Sequence, residues 1–181
     1  GGSVARSLAE ELTGTGIEVD DLPATELSGF GLVPDMSDTL VVAISQSGTT
    51  TDTNRTVDLV RARGARVVAI VNRRNSDLVN RADGVLYTSD GRDVEMSVAS
   101  TKAFYAQAVA GVLLAAAVAD AVGVGGAPDR AGVLSGLRDL PEAMGEVLAQ
   151  RDRIAEIADR HAPARRHWAV VGSGPNLGGA R

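Results

Sequence analysis

Thr39 to Ile44 reads Thr-Leu-Val-Val-Ala-Ile, a run apolar on both faces of an extended chain. No other stretch narrows the fold as much. A strand buried on both sides belongs inside a parallel sheet covered by helices. The next residues fit that placement. Ser45-Gln46-Ser47-Gly48-Thr49-Thr50-Thr51-Asp52-Thr53 is a hydroxyl-rich turn, and Asn54 to Arg63 is an amphipathic helix pattern that stops at Gly64. The pattern then repeats as strand Arg66 to Val71, a polar turn from Asn72, a short helix around Ser76 to Arg81, and strand Val85 to Thr88. Each step takes about 20–25 residues, the spacing of right-handed βαβ units. The expected class is α/β, a doubly wound parallel sheet with helices on both faces. Ligands of such sheets sit beyond the carboxyl ends of the strands, near the switch point in strand order. The hydroxyl turn lies at one such end.

The flanking segments are read in the same way. Gly2 to Leu12 is a helix with Val4, Leu8 and Leu12 on one face, closed by Thr13-Gly14-Thr15-Gly16. Ile17-Glu18-Val19 is a short strand candidate, and Ala24 to Phe30 is one helical turn or two. A polar loop, Ser89 to Ser97, leads to a long apolar helix from Ala103 to Val122, with Ser100 or Thr101 placed to cap it. Gly123-Val124-Gly125-Gly126-Ala127-Pro128 is the clearest break. Beyond it, Asp129 to Gly136 and Pro141 to Arg160 are helical, and Trp168 to Gly174 reads as a fresh strand with a glycine turn. A doubly wound sheet normally opens with a strand, whereas this chain opens with a helix. The first strand is therefore expected to lie before Gly1, and the chain is expected to be a piece of a longer protein.

Composition removes several function classes. The chain has 181 residues, 44% hydrophobic, which is enough for a sizeable core. Its net charge of −5 argues against nucleic acid or an anionic membrane as the main partner. Only 3% of residues are aromatic, which leaves little for stacking bases. Cysteine is absent, so there is no disulfide, thiolate–metal site or cysteine nucleophile within these residues, a composition compatible with the cytoplasm. Gly1 to Leu12 has a charged helix pattern rather than the apolar core of a signal peptide. Ala103 to Val122 is nearly long enough to cross a bilayer. Its Ala and Gly content, interrupted by Tyr105, Gln107 and Asp120, favours a core or interface helix.

The chemistry concentrates in the turn after Ile44. Main-chain N–H groups and several hydroxyls at a helix N-terminus favour an anion. No Lys or Arg lies within the turn, so it suits a small phosphate held by neutral, directional donors. The plainer reading, that these hydroxyls only cap the helix, stays open on spacing alone. Lys102 has the chemistry of a Schiff-base lysine, but activation needs a desolvated or cation-crowded site, and a solvated side chain is the simpler reading. Asp93 and Glu95 are carboxylates in a polar loop, where solvation outweighs an acid–base role. His161 and His167, the two histidines, have no partner at metal-ligand spacing. Gly172-Ser173-Gly174 is too short for a dinucleotide fingerprint.

Two motifs carry a resemblance. Ile44 to Thr53 is similar to ISQSGETADT, and Val98-Ala99-Ser100-Thr101-Lys102-Ala103-Phe104 to VASTKAF, of the sugar isomerase (SIS) domains of glutamine:fructose-6-phosphate aminotransferases. Asp83 to Thr88 resembles the strand before the second motif. The resemblance implies a SIS, flavodoxin-like fold with a first SIS domain over residues 1–122. A helical connector would follow over 123–165, and a second SIS domain would open at 166–181. It implies that Ser45, Gln46, Ser47 and Thr50 hold the phosphate of fructose 6-phosphate, and that Val98, through its backbone, and Ser100 meet the sugar. The family turns fructose 6-phosphate and glutamine into glucosamine 6-phosphate as a dimer, with no metal or organic cofactor. Its catalytic Glu, ligand-site His, imine-forming Lys and glutaminase Cys would all lie outside this chain. Thr49 stands where the family usually has Glu, and Ser97 where it has Gly. The alternative is a non-catalytic SIS module that senses a phosphosugar.

Overall fold

The apolar runs pair as a three-stranded parallel sheet in the order β1 (Leu40–Ser45), β2 (Arg66–Val71), β3 (Gly84–Tyr87). The computed structural model describes residues 2–90, 102–123 and 130–172. It divides into two compact units, Gly1–Gly126 and Ala127–Arg181. In the first, Ser45 lies opposite Val71 and Val71 opposite Tyr87, so the three strands end level at their carboxyl edge.

The side chains alternate as the pleat requires. Ala43, Val67 and Ala69 face one layer of helices, α3 (Thr51–Arg61) and α4 (Asp77–Arg81), and pack there with Val57, Val60 and Leu78. Val42 faces the other layer, α1 (Gly2–Glu11) and α5 (Lys102–Val122). Helices therefore cover both faces, as expected. β2 is the buried centre, with Val67, Ala69, Ile70 and Val71 inaccessible. β1 has a sheet neighbour on its β2 side only, among the described residues, and its Leu40 is exposed.

α1 and α5 meet through small side chains. Val4, Leu8 and Leu12 are buried, and a Cβ placed on Gly111 would stand 3.4 Å from Val4 Cγ1. α5 has the length and apolarity to cross a membrane, but here it packs on α1 and β2 with Ala103, Ala110, Ala115, Ala116 and Ala119 buried. The C-terminus of α3 closes in a Schellman arrangement. Gly64 adopts φ +94°, its N–H donates to Arg61 O, and Ala65 N–H donates to Val60 O. Asp83 ties the entry of β3 to β2: Val67 N–H donates to Asp83 Oδ2 at 2.8 Å, and Asp83 N–H donates back to Val67 O at 2.8 Å. Arg61 and Arg66 flank that carboxylate at 3.4 and 3.6 Å. The Val67 N–H, together with the two guanidiniums and against partial burial, holds the Asp83 carboxyl below the usual aspartate range.

Three segments differ from expectation, while Ala24 to Phe30 is helical as expected. Ile17 to Val19 is extended but is no strand. The Ile17 N–H is taken by Thr15 Oγ1, and both apolar side chains pack on the α1–α5 layer instead of joining the sheet. Ala24 to Phe30 begins as α2 (Ala24–Glu26) and widens into a π-helical turn, Leu27–Gly31. In the second unit, α6 (Arg130–Ala149) runs through Pro141, and the break falls at Gln150, before α7 (Arg151–His161). The apolar spacing Val133, Leu137, Leu140, Met144, Val147 continues across the proline. The proline withholds one N–H but its φ suits a helix. Finally, Trp168 to Gly172 forms no strand among the described residues, and Val171 is 91% exposed.

Candidate functional site

β1 delivers Ser45 to the carboxyl edge of the sheet, and residues 46–50 turn the chain into α3. Ser45 and Gly48 are buried, Gln46 and Ser47 half-buried, and Thr49 and Thr50 exposed. The hydroxyls are already engaged as acceptors. Ser45 Oγ accepts the Gly48 N–H at 3.0 Å. Ser47 Oγ accepts the Thr49 N–H at 3.3 Å and the Thr49 hydroxyl at 3.0 Å. A hydroxyl whose lone pairs are occupied still has its proton to donate. Both serine hydroxyls therefore keep a proton to donate.

Thr50 stands at the N-cap of α3 with φ −64° and ψ 118°, and its side chain makes no capping hydrogen bond. The opening amides of an eleven-residue helix thus lack a cap from this hydroxyl and stay available. The helix dipole adds a partial positive charge at the same place. The Gln46 carbonyl accepts N–H groups from Asn72 (3.2 Å) and Arg73 (3.3 Å), which ties this turn to the one after β2. Its side-chain amide makes no hydrogen bond among the described residues. The arrangement can cradle a small anion by hydroxyl and amide donors.

Behind the turn, Gly48 adopts φ +65°. Its carbonyl accepts the Leu78 N–H of α4 at 3.0 Å and the Asn54 Nδ2 amide of α3 at 3.2 Å. A Cβ on Gly48 would fall 2.1 Å from Ser76 Oγ, so only glycine fits on both steric and dihedral grounds. Ser76 is the N-cap residue of α4, yet it makes no side-chain cap. Its Oγ and Asn54 Oδ1 are buried without a partner among the described residues.

Sequence reasoning named Ser45, Gln46, Ser47 and Thr50, and all four fall on this one turn. Val98 and Ser100 lie outside the described residues, as do Asp93, Glu95, Ser97 and Thr101. Lys102 opens α5 and is exposed. His161 and His167 are exposed in the second unit. Three contributors were missed. Asn54 shares a helix face with Val57 and Val60, and a polar residue in that apolar register was the available signal. Ser76 was read only as the start of a helix. Arg73 donates its backbone N–H to the Gln46 carbonyl from the next loop, where Arg74 stacks over Tyr87 at 4.2 Å.

Residues 32–117 match the SIS domain model, a span that runs from just before β1 through most of α5. The chain carries a SIS domain. Two relatives share its sequence. The isomerizing glutamine–fructose-6-phosphate aminotransferase of Corynebacterium glutamicum is 42% identical over 127 residues, 70% of this chain and 20% of that protein. Its Mycolicibacterium smegmatis counterpart is 39% identical over 163 residues, 90% of this chain and 25% of that protein. The C-terminal domain of glucosamine-fructose-6-phosphate aminotransferase from Francisella tularensis superposes with a TM-score of 0.77 at 26% identity, over 99% of this chain and 49% of that one. The chain thus spans 20% and 25% of the two curated relatives.

Proposed function

We propose that the SIS domain binds a sugar phosphate, fructose 6-phosphate or glucosamine 6-phosphate, with the phosphate on the β1–α3 turn. Ser45 and Ser47 donate hydroxyl protons, Thr50 and the opening amides of α3 complete the cradle, and Gln46 lies beside it. Val98 and Ser100 complete the sugar side. The observation that carries this reading is the uncapped start of α3 above two serines that act only as acceptors within the turn. A side-chain cap would have occupied one of the opening amides of α3.

The longer protein, on this reading, makes glucosamine 6-phosphate from fructose 6-phosphate and glutamine, acting in the cytoplasm as a homodimer. The SIS domain ends near residue 122, residues 123–165 serve as its connector, and a second SIS domain opens at 166. The names and identities of the two aminotransferases support this. One feature favours the second reading, a phosphosugar-sensing module without catalysis. Thr49 occupies the family's Glu position and turns its hydroxyl inward to Ser47 Oγ, so the turn has no carboxylate there.

Phosphorus NMR of fructose 6-phosphate tests the site. Addition of the folded chain is expected to broaden or shift the phosphate resonance, and Ser47→Ala to reverse most of that effect. An unaltered resonance with the folded wild-type chain would remove the turn from phosphate binding. Glutamine-dependent formation of glucosamine 6-phosphate by the longer protein separates the enzyme from the sensor.

A further inference from the structure

The Gly48 carbonyl is held from two sides, by the Leu78 N–H of α4 and the Asn54 amide of α3. Neither bond belongs to regular secondary structure. Asn54 lies six residues beyond Gly48, inside a helix that also buries Thr56, Val57 and Val60, and it shares a face with the two valines. Asparagine is a poor helix former, and here it is buried with Oδ1 unpartnered. An apolar side chain would pack in that place without stranding a polar atom. What the asparagine supplies in return is a side-chain donor to the Gly48 carbonyl, beside the Leu78 N–H.

A glycine at positive φ leaves a turn free to sample many conformations unless something fixes it. We propose that Asn54 is a positioning residue for the ligand turn. With the Leu78 N–H it clamps the Gly48 carbonyl and keeps the serine hydroxyls and the opening amides of α3 facing outward. Ser76 completes the clamp by contact, since it fills the space where a side chain on residue 48 would be. The turn is thereby ordered before any ligand arrives, which removes an ordering cost from binding. This inference rests on the reading of the turn as a phosphate cradle.

The test is Asn54→Leu in the full chain, with Asn54→Ala as a second variant in case the bulkier side chain prevents folding. Two quantities are read: the heteronuclear NOE of the Gly48, Thr49 and Thr50 amides without ligand, and calorimetric affinity for fructose 6-phosphate. Thermal melts accompany both. The expected result is a folded variant whose turn amides lose order and whose affinity falls about tenfold, equivalent to roughly 1.4 kcal/mol. A merely structural role would lower the melting temperature and leave turn order and affinity unchanged, which overturns the proposal. Unchanged turn order overturns it as well. If the wild-type chain binds no fructose 6-phosphate, the phosphate reading fails, and turn order alone decides the clamp.

Discussion

Ser47 is the residue on which the phosphate reading can be tested most locally. Its hydroxyl accepts twice from Thr49 and retains one proton to give. Ser47→Ala is expected to weaken fructose 6-phosphate binding by about 1–3 kcal/mol, measured by calorimetry, the loss of a hydrogen bond to a charged group. Ser76 makes an opposite prediction. An N-cap serine normally contributes about 1 kcal/mol, and its replacement by alanine removes that. Here the Gly48 carbonyl takes the Leu78 N–H, and the Ser76 hydroxyl is buried without a partner. Ser76→Ala should therefore leave the melting temperature unchanged or raise it. A fall typical of a lost cap would mean that Ser76, not Gly48, caps α4. Asn54 broke the apolar register of its helix, but its partner was not legible in the sequence. Serine before a short helix reads as a cap, and asparagine after a turn reads as solvated, because spacing alone does not tell which acceptor a buried donor meets.

At the level of elements, the strand–turn–helix repeat was legible because β2 is buried on both faces and is therefore apolar from Val67 to Val71. Ile17 to Val19 misled for the same reason. A short apolar alternation also arises where a chain packs on helices without pairing. α6 passed through Pro141 because its apolar spacing is continuous, whereas a lone proline dominates a local reading. Two predictions belong here. Gly111 sits mid-helix with ordinary contact distance for one added carbon. Gly111→Ala should raise stability by up to about 1 kcal/mol through helix propensity. Gly111→Leu should lower it by forcing α1 away, and thermal melts distinguish the two. Asp83 predicts a pH dependence. Its folded pKa is depressed, so its contribution is full above the unfolded value and is lost as pH falls through the folded value. Asp83→Asn should melt earlier than wild type near neutral pH, and the gap should close in acid below the ordinary aspartate range. A gap that persists there would assign the effect to packing instead of charge.

The whole molecule presents a SIS domain over residues 32–117 and a second unit of two helices with an extended end. The fold class followed from pattern, and the family from two short motifs. The second of those motifs, with Val98 and Ser100, lies outside the described residues, so the sugar half of the site rests on resemblance. The phosphate half rests on geometry as well. Edge strand β1 explains a further mismatch. Its sequence has the pattern of a strand with neighbours on both sides, while the described sheet supplies one.

Calorimetric titration of the folded chain with fructose 6-phosphate, glucosamine 6-phosphate, fructose and inorganic phosphate tests the central claim most directly. The account predicts that both sugar phosphates bind more tightly than either phosphate or fructose alone, because the turn, Val98 and Ser100 serve one ligand. Binding of none of the four by a sample that melts cooperatively would contradict it and return the hydroxyl turn to a capping role.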